Sequence, residues 1–303
     1  MSQLLNALSE ALVETVKKVG QHVLRVEGRE RLPTSGVVWS RDGLVVTVNH
    51  GVERDRDLRV GLPDGTTVSA QVVGRVPNLD LVLLRAGAES RQLTPADWAE
   101  ADQLNVGALT LALGRPGPDV LATFGILSAV ETGWHAPTGG HFTHYVQSDV
   151  VMYPGFSGGP LVNADERVLG INTSALVSGL SLTIPTAALR RAVEALLKHG
   201  RVKQGYLGLG GQPVRLPKAQ QALAGQETGL LLMMVEPGGP ADQSGLLLGD
   251  ILLTLDNHPL RSMEDLLGLL NGNSERAGAT VPIRFLRAGQ PREGRVTIGE
   301  RTS

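Results

Sequence analysis

The chain has 303 residues, which is long for a single hydrophobic core and suggests two domains. Hydrophobic residues make up 42%, enough to bury a sizeable core. The 28 basic and 30 acidic residues give a net charge of −2 with no basic patch, so a nucleic-acid partner is not expected. The absence of cysteine excludes disulfides, thiolate metal sites and a cysteine nucleophile.

The first segment predicts an amphipathic helix, because Leu5, Leu8, Leu12, Val16 and Val19 recur at helical spacing. Polar residues interrupt this segment too often for the apolar core of a signal peptide. We expect the helix to pack on the following domain, with a partner or a membrane surface as alternatives. No stretch reaches the ~18 apolar residues of a membrane span. We therefore expect a cytoplasmic location, with an extracytoplasmic location as the alternative.

Residues 36–185 alternate short apolar strands with turn-forming residues. Two hairpin loops are predicted, at 41–43 and at 63–65, where Asp-Gly pairs separate apolar segments. A less regular stretch, 87–103, leaves room for a short helix and for a crossing between two halves. Because many short strands follow one another without a long helix between them, a barrel or sandwich is favoured over a parallel βαβ architecture.

The pattern changes at Pro185. Residues 186–199 predict a helix with Thr186 as its N-cap and Gly200 as its stop. A linker at 201–205 leads into a second unit, where short strands and two short helices predict a small α+β domain. No internal repeat or low-complexity run is seen.

A candidate nucleophile lies in Gly155-Phe156-Ser157-Gly158-Gly159-Pro160. A nucleophilic serine needs an exposed hydroxyl on a tight turn and backbone N–H groups directed at the developing oxyanion. Glycines on both sides of Ser157 permit such a bend, so the N–H groups of Gly155 and Ser157 are the candidate oxyanion hole. The alternative is a glycine-rich surface turn that holds an idle serine.

A serine nucleophile needs a base, and the base needs a carboxylate that fixes its tautomer. His50 is the best placed of the seven histidines, because it follows the apolar strand 44–49 at a strand-to-loop corner. Three others, at 135, 141 and 144, lie in or near a Gly/Pro-rich loop and are expected to be exposed. Asp80 lies in an otherwise apolar strand, where an unpaired carboxylate would be costly. Alone, each residue has a structural alternative: a histidine without catalytic role, and an aspartate that caps a turn.

Together, His50, Asp80 and Ser157 occur in the chain order of a chymotrypsin-type triad. The histidine and the aspartate fall in the first half of the β region and the serine in the second. This arrangement predicts a site between two barrels.

These motifs resemble those of the HtrA (DegP/DegS-like) family of trypsin-fold serine proteases. The resemblance extends from about Gly36 to Ile298 and rests on motifs that occur in the family's order. They are Ser35-Gly36-Val37-Val38, Thr47-Val48-Asn49-His50, Asp64-Gly65, Leu79 to Leu84, Gly155 to Asn163, and Gly170-Ile171-Asn172-Thr173.

The resemblance implies a mainly β fold, a chymotrypsin/trypsin-like double β-barrel followed by a small α+β PDZ domain. The expected divisions are an N-terminal helical segment with a first strand over 1–34, the protease domain with its C-terminal helix over 35–200, and the PDZ domain over 206–300. The implied function is a serine endopeptidase that cleaves unfolded or damaged proteins. The alternative is a proteolytically inactive chaperone or peptide-binding protein. No cofactor or metal is expected, and a homo-oligomer, specifically a trimer, is expected.

In the second unit, Tyr206, Leu207, Gly208 and Leu209 match the PDZ loop that receives a peptide C-terminus. The resemblance implies that backbone N–H groups of this loop bind the carboxylate while the ligand adds a strand to the sheet. The helix near 263–270 is expected to form the other wall of the groove. The alternative is a glycine-rich turn that binds nothing.

The chain departs from the family pattern at two positions near the site. Phe156 stands where the family usually has asparagine, and Gly51 follows the histidine where an aliphatic residue is usual. Both departures bear on the geometry of the oxyanion loop and its surroundings.

Overall fold

The structure, a computed structural model, describes residues 2–87, 93–100, 104–136, 140–199, 204–271 and 277–301. The α-helices in these ranges are α1 (Ser2–Gly20), α2 (Thr186–His199), α3 (Lys218–Ala224), α4 (Pro240–Gln243) and α5 (Met263–Asn271). Two single-turn 3₁₀ helices occur at Asn49–Gly51 and Pro77–Leu79.

The strands of the first unit are β1 (Val23–Glu27), β2 (Thr34–Val38), β3 (Leu44–Val48), β4 (Leu58–Gly61), β5 (Thr67–Val76), β6 (Leu81–Ala86), β7 (Leu109–Gly114), β8 (Leu121–His135), β9 (His141–Ser148), β10 (Pro160–Asn163), β11 (Val168–Thr173) and β12 (Leu182–Pro185). Strands β1 to β6 close into one barrel in the order β1-β2-β3-β6-β5-β4. Strands β7 to β12 close into a second barrel in the order β10-β11-β12-β9-β8-β7. The predicted double β-barrel is confirmed.

The apolar runs of the first barrel are continuous because both faces of its central strands are buried. In β3 every residue is buried, and Val46 pairs with Val37 on one side and with Leu83 on the other. Val45 points into the barrel core, whereas Leu44 belongs to a core that the two barrels share. Alternation of period two is therefore present in the structure but hidden in the sequence, since both sets of side chains are apolar.

The second barrel differs from expectation at its histidines. On either side of the expected loop, β8 runs to His135 and β9 begins at His141. His144 lies in β9, is only partly exposed, and has a buried Nδ1 atom. The expectation that this histidine is exposed is therefore wrong. The short helix allowed for within 87–103 is not seen in its described residues, 93–100.

Helices α1 and α2 pack on the shared core of the barrels. Buried residues of α2, including Leu189 and Val193, belong to this core, and the Thr186 hydroxyl at its start donates to the Val168 carbonyl. In α1 the C-terminal part, with Val16 and Val19, contacts the core. The N-terminal part of α1 leaves its leucines exposed, so only half of the predicted apolar face is covered within the chain.

The second unit, from β13 onward, is a small α+β domain. Its strands are β13 (Gln204–Tyr206), β14 (Leu209–Arg215), β15 (Thr228–Val235), β16 (Ile251–Leu255), β17 (His258–Pro259), β18 (Thr280–Arg287), β19 (Gln290–Thr297) and β20 (Gly299–Arg301). The main sheet has the order β14-β15-β16-β18-β19, with β17 paired to β16, and β13 pairs with β20. Its own core forms beneath α5 and includes Leu230, Leu252 and Leu266. In the part of the chain that is described, no helix is long and apolar enough to cross a membrane.

Candidate active site

His50 and Asp80 meet through two hydrogen bonds. His50 lies in the 3₁₀ turn that follows β3, and its backbone N–H donates to Asp80 Oδ1 at 2.9 Å. The imidazole Nδ1 lies 2.8 Å from Asp80 Oδ2. Asp80 is buried, and its paired carboxylate is held by hydrogen bonds, as a buried charge requires. This two-point contact fixes the imidazole with Nδ1 toward the carboxylate and leaves Nε2 as the nitrogen available to a substrate or nucleophile.

The sequence predicted Asp80 to lie within a strand, but in the structure it lies just before one. It follows the turn Pro77–Leu79 in the left-handed conformation, with φ of 53°, and β6 begins one residue later. Aspartate tolerates this conformation better than most residues. The kink directs the carboxylate toward His50 instead of into the sheet.

Ser157 is connected to this pair through β11 and the residue that follows it. The Thr173 hydroxyl donates to Asp80 Oδ2 at 2.6 Å, and the next residue, Ser174, lies with its Oγ 3.3 Å from Ser157 Oγ. Among the described residues, the Ser157 hydroxyl forms no hydrogen bond with His50. The structure thus joins two of the candidate triad residues, His50 and Asp80, directly. The third, Ser157, lies beside Ser174, the residue after Thr173.

The loop that carries Ser157 depends on glycine at two positions. Gly155 has φ of +91°, and a Cβ there would lie 2.5 Å from Pro116 Cβ. Gly158 has φ of +84°, and a Cβ there would overlap the Ser35 carbonyl oxygen and approach Thr47 Oγ1 to 2.5 Å. Both positions therefore exclude other residues through backbone conformation and through space.

The backbone around Ser157 is anchored from β2. The Ser157 carbonyl accepts hydrogen bonds from the Thr34 hydroxyl and, at 3.0 Å, from the Ser35 N–H. The N–H groups of Gly155 and Ser157, the candidate oxyanion donors, have no acceptor among the described residues. Unpaired donors on a rigid turn are the arrangement that binds a developing negative charge.

The candidate peptide-binding loop of the second unit is a tight turn between β13 and β14. Gly208 has φ of +69°, and its carbonyl accepts from the Glu236 N–H at 2.8 Å. The Tyr206 hydroxyl donates to the Glu236 carboxylate, which holds the outer side of the turn. The N–H groups of Leu207 and Gly208 donate to no acceptor in the described part of the chain.

Strand β14 and helix α5 lie next to each other beside this loop. Strand β14 is an edge strand of the main sheet, so one side of its backbone is unpaired within the sheet. Helix α5 lies against β13 and β14, and apolar side chains, including Leu266 and Leu270, line the side of α5 that is buried. No group of three or more His, Asp or Glu side chains that could hold a metal ion occurs within the described ranges.

Two family models match the chain, a trypsin-like peptidase domain over residues 34–171 and a PDZ domain over residues 205–298. A probable periplasmic serine endoprotease, DegP-like, of Ectopseudomonas mendocina is 34% identical over 271 residues, which is 88% of this chain and 56% of the relative. One from Chlamydia trachomatis is 32% identical over 282 residues, covering 90% of this chain and 55% of the relative. The chain thus spans about half the length of the curated relatives it matches.

Solved structures match over nearly the whole length of both chains. A serine endoprotease of Yersinia pestis has a TM-score of 0.76 and 29% identity, with 95% of this chain and 97% of that chain covered. The HtrA-type protease AlgW with a tripeptide has a TM-score of 0.75 and 28% identity, with 96% and 97% covered.

The chain belongs to the HtrA family of trypsin-fold serine proteases with a PDZ domain.

The two departures from the HtrA pattern are both accommodated by packing. Phe156 is fully buried in the core of the second barrel, and a Cβ on Gly114 would lie 2.9 Å from its ring. Gly51 faces Thr34, whose Cγ2 atom would be 2.6 Å from a Cβ at that position. The unusual phenylalanine is therefore part of a hydrophobic core, and the unusual glycine makes room for Thr34, which anchors Ser157.

Sequence reasoning missed several residues of this HtrA site. Thr173, Ser174 and Thr34 contact the candidate triad residues, but none of them was singled out as functional. Ser35 and Thr173 lie in segments that carried the family resemblance, so their positions were visible although their roles were not. Ser174 has no sequence signal, because its role follows from the turn after β11.

Proposed function

We propose that this HtrA-family chain is a serine endopeptidase that cleaves unfolded polypeptides through an acyl-enzyme. The proposed catalytic residues are His50, Asp80 and Ser157, and the oxyanion donors are the N–H groups of Gly155 and Ser157. The observation that carries the proposal is the two-point contact of Asp80 with His50, at 2.9 and 2.8 Å, because it leaves Nε2 free to accept a proton.

In the proposed reaction, neutral His50 takes the proton of the Ser157 hydroxyl as its oxygen attacks a peptide carbonyl. The carbonyl oxygen becomes negative and is bound by the two backbone N–H groups. His50 then gives the proton to the leaving amine, the C–N bond breaks, and an ester to Ser157 remains. Water, deprotonated by His50, hydrolyses this ester and restores the hydroxyl.

The reaction requires the Ser157 hydroxyl to leave Ser174 Oγ and to form a hydrogen bond with Nε2 of His50. Catalytic hydrogen bonds are often incomplete in structures without substrate and form in the Michaelis complex. The Ser157–Ser174 distance of 3.3 Å is long for a bond between hydroxyls, so little is lost when it breaks.

The contact of Ser157 with Ser174, in place of one with His50, favours a second candidate function, a chaperone or peptide-binding protein without proteolysis. Labelling of Ser157 by a fluorophosphonate, with Ser157→Ala as control, separates the two. We expect labelling of the wild type and degradation of unfolded casein, both lost in the variant. A protein that stays unlabelled, with and without C-terminal peptides, and leaves casein intact would favour the binding function.

We propose that the second unit binds peptide C-termini, with the carboxylate on the N–H groups of the loop at Tyr206, Leu207, Gly208 and Leu209. The unpaired N–H groups of Leu207 and Gly208 and the free edge of β14 support this, because an added strand needs both. The HtrA-type protease AlgW with a tripeptide is a structural relative that matches 96% of this chain. Calorimetric titration with a peptide and with its C-terminal amide tests the proposal, since the amide should bind much more weakly.

We propose that the chain forms a homo-oligomer, specifically a trimer. The exposed apolar surface of the first unit supports this proposal. Leu5 and Leu8 of α1 are exposed, as are Leu109 and Phe124 on β7 and β8. Leu8, Leu109 and Phe124 border one groove, and such a patch favours association of subunits. Light scattering should show a trimer for the wild type and smaller species for the double variant Leu5→Ser/Phe124→Ser. A monomeric wild type would contradict the proposal.

We also propose an extracytoplasmic location. The curated relatives are named periplasmic, which favours this alternative over the cytoplasmic expectation. Fractionation of cells that express the natural protein at its natural level tests this.

A further inference from the structure

The oxyanion loop is tied to the rest of the first unit by a buried serine. Ser35 on β2 is fully buried, and its hydroxyl donates to the Gly155 carbonyl at 2.7 Å. The same hydroxyl accepts a hydrogen bond from the Arg115 backbone N–H, also at 2.7 Å. A hydroxyl that donates once and accepts once has a defined orientation, so it holds the Gly155 carbonyl in one direction.

Gly155 needs such a restraint. Glycine populates positive and negative φ about equally, so the observed φ of +91° is not selected by the residue itself. If the Gly155 carbonyl turned away from Ser35, the Phe156 N–H, which shares its peptide plane, would turn with it and lose its bond to the Tyr153 carbonyl. The backbone between Gly155 and Ser157, which carries both candidate oxyanion donors, would then change its conformation. Pro116 adds a steric restraint, because it lies against Gly155 where a side chain would be.

Arg115 fixes the segment that supports Ser35 and Pro116. Its side chain is buried, and its guanidinium donates to the carbonyls of Val23 at 2.7 Å, Gly20 at 2.9 Å and Pro118 at 2.5 Å. It makes no salt bridge with a described carboxylate. Burial lowers the pKa of Arg115, and nearby Asp119 partly offsets this effect.

The Gly20 carbonyl is at the C-terminal end of α1, where a helix favours a cation. Arg115 therefore links two sets of hydrogen bonds: its guanidinium bonds the end of α1, and its backbone N–H bonds Ser35, which in turn bonds the Gly155 carbonyl.

We propose that Ser35 and Arg115 are positioning residues that hold the oxyanion loop in its catalytic conformation, with Arg115 acting through Ser35. The proposal rests on the proposed protease function. Neither side chain touches the substrate. Both act through the direction of the Gly155 carbonyl and, through it, of the neighbouring N–H donors.

The test is kcat per titrated active site, measured with a peptide substrate after titration with a fluorophosphonate. A role limited to folding lowers the number of active sites but leaves kcat per site unchanged. We expect Ser35→Ala to lower kcat per site about tenfold at nearly constant KM, because removal of an entire oxyanion donor costs more, about 10²–10³-fold. Arg115→Met should lower it about threefold, since its main-chain bond to Ser35 remains. A peptide boronate, which places an oxygen in the same hole, should lose affinity in parallel with kcat/KM.

The double variant tests whether Arg115 acts through Ser35. In the Ser35→Ala protein, Arg115→Met should have little further effect on kcat per site, whereas independent roles would give additive losses. Ser40→Ala and Arg85→Met are the matched controls, because both side chains are on the surface and away from the loop. If Ser35→Ala does not fold, Ser35→Cys and Arg115→Lys decide, with smaller losses of the same kind.

Unchanged kcat per site in the Ser35 variants, with an active wild type, would overturn this proposal alone. Additive losses in the double variant would overturn the relay through Ser35. A wild type that fails to label at Ser157 would instead contradict the proposed protease function.

Discussion

Replacement of Asp80 by asparagine tests the central contact of the site. In the wild type, Asp80 Oδ1 accepts the His50 backbone N–H, and Oδ2 accepts hydrogen bonds from Nδ1 of His50 and from the Thr173 hydroxyl. Asparagine keeps the size of the side chain but turns one acceptor oxygen into an N–H₂ donor. The backbone N–H of His50 needs an acceptor, so the remaining oxygen should stay at the Oδ1 position.

The amide nitrogen then faces Nδ1 and donates to it. The imidazole proton moves to Nε2, the nitrogen that must accept the proton of Ser157, so the base is in the wrong tautomer. In triads of this kind the change lowers kcat about 10⁴-fold. At about 1.4 kcal/mol for each tenfold change, this corresponds to about 5.5 kcal/mol of transition-state stabilisation. The free energy of unfolding should change by only about 1–3 kcal/mol, because size and part of the bonding are kept.

The measurement is kcat for a peptide substrate, with the melting temperature measured on the same preparation. Asp97→Asn is the matched control, because that carboxylate is largely exposed and forms an ion pair with exposed Arg167. It should leave kcat within twofold. A folded Asp80→Asn protein whose kcat is within tenfold of the wild type would refute the assigned tautomer and the role of Asp80.

Three other outcomes follow from backbone geometry. Gly158→Ala should lower the free energy of unfolding by at least about 3 kcal/mol, because the new Cβ adds an overlap with the Ser35 carbonyl to the cost of a positive φ. Gly65 has a similar φ of +88° but open space around it, so Gly65→Ala should lower the free energy of unfolding by only about 1–2 kcal/mol. Denaturant titrations compare the two, and equal losses would contradict the steric argument. Gly208→Ala, at φ of +69°, should weaken binding of peptide C-termini about tenfold in calorimetry without lowering peptidase activity measured in the absence of peptide. Pro213 has no N–H and lies in the edge strand β14, so peptides longer than about four residues should gain little affinity from their additional residues. Pro213→Ala should make longer peptides bind more tightly. A steady gain of affinity with peptide length in the wild type would refute this.

Much of the candidate site was predictable because its residues lie in short segments with strong local requirements. The glycines around Ser157 are dictated by positive φ and by close contacts with β2, so the loop is recognisable wherever it occurs. The end of β3 at His50 was visible as a change from apolar to polar residues. The number of short strands and the scarcity of helices between them predicted a barrel or a sandwich, and the double barrel was implied only by the order of the candidate triad residues and by the family resemblance.

Other features depend on residues that are distant in sequence. Asp80 leaves the expected strand because hydrogen bonds to His50 and Thr173 hold it in a left-handed turn, and the local sequence contains neither partner. The leucines at the start of α1 fit a buried helical face but are exposed, because the described part of the chain does not cover that half of the helix.

The sequence by itself determined the fold class and the three candidate catalytic residues, because backbone sterics and apolar patterning act over a few neighbouring positions. Only the tertiary structure decided which groups hold those residues in place. Arg115 is a charged residue that composition would put on the surface, yet it is buried because the carbonyls of Gly20, Val23 and Pro118 converge on it. Such convergence arises when closed barrels bring separate segments together, and no local pattern records it.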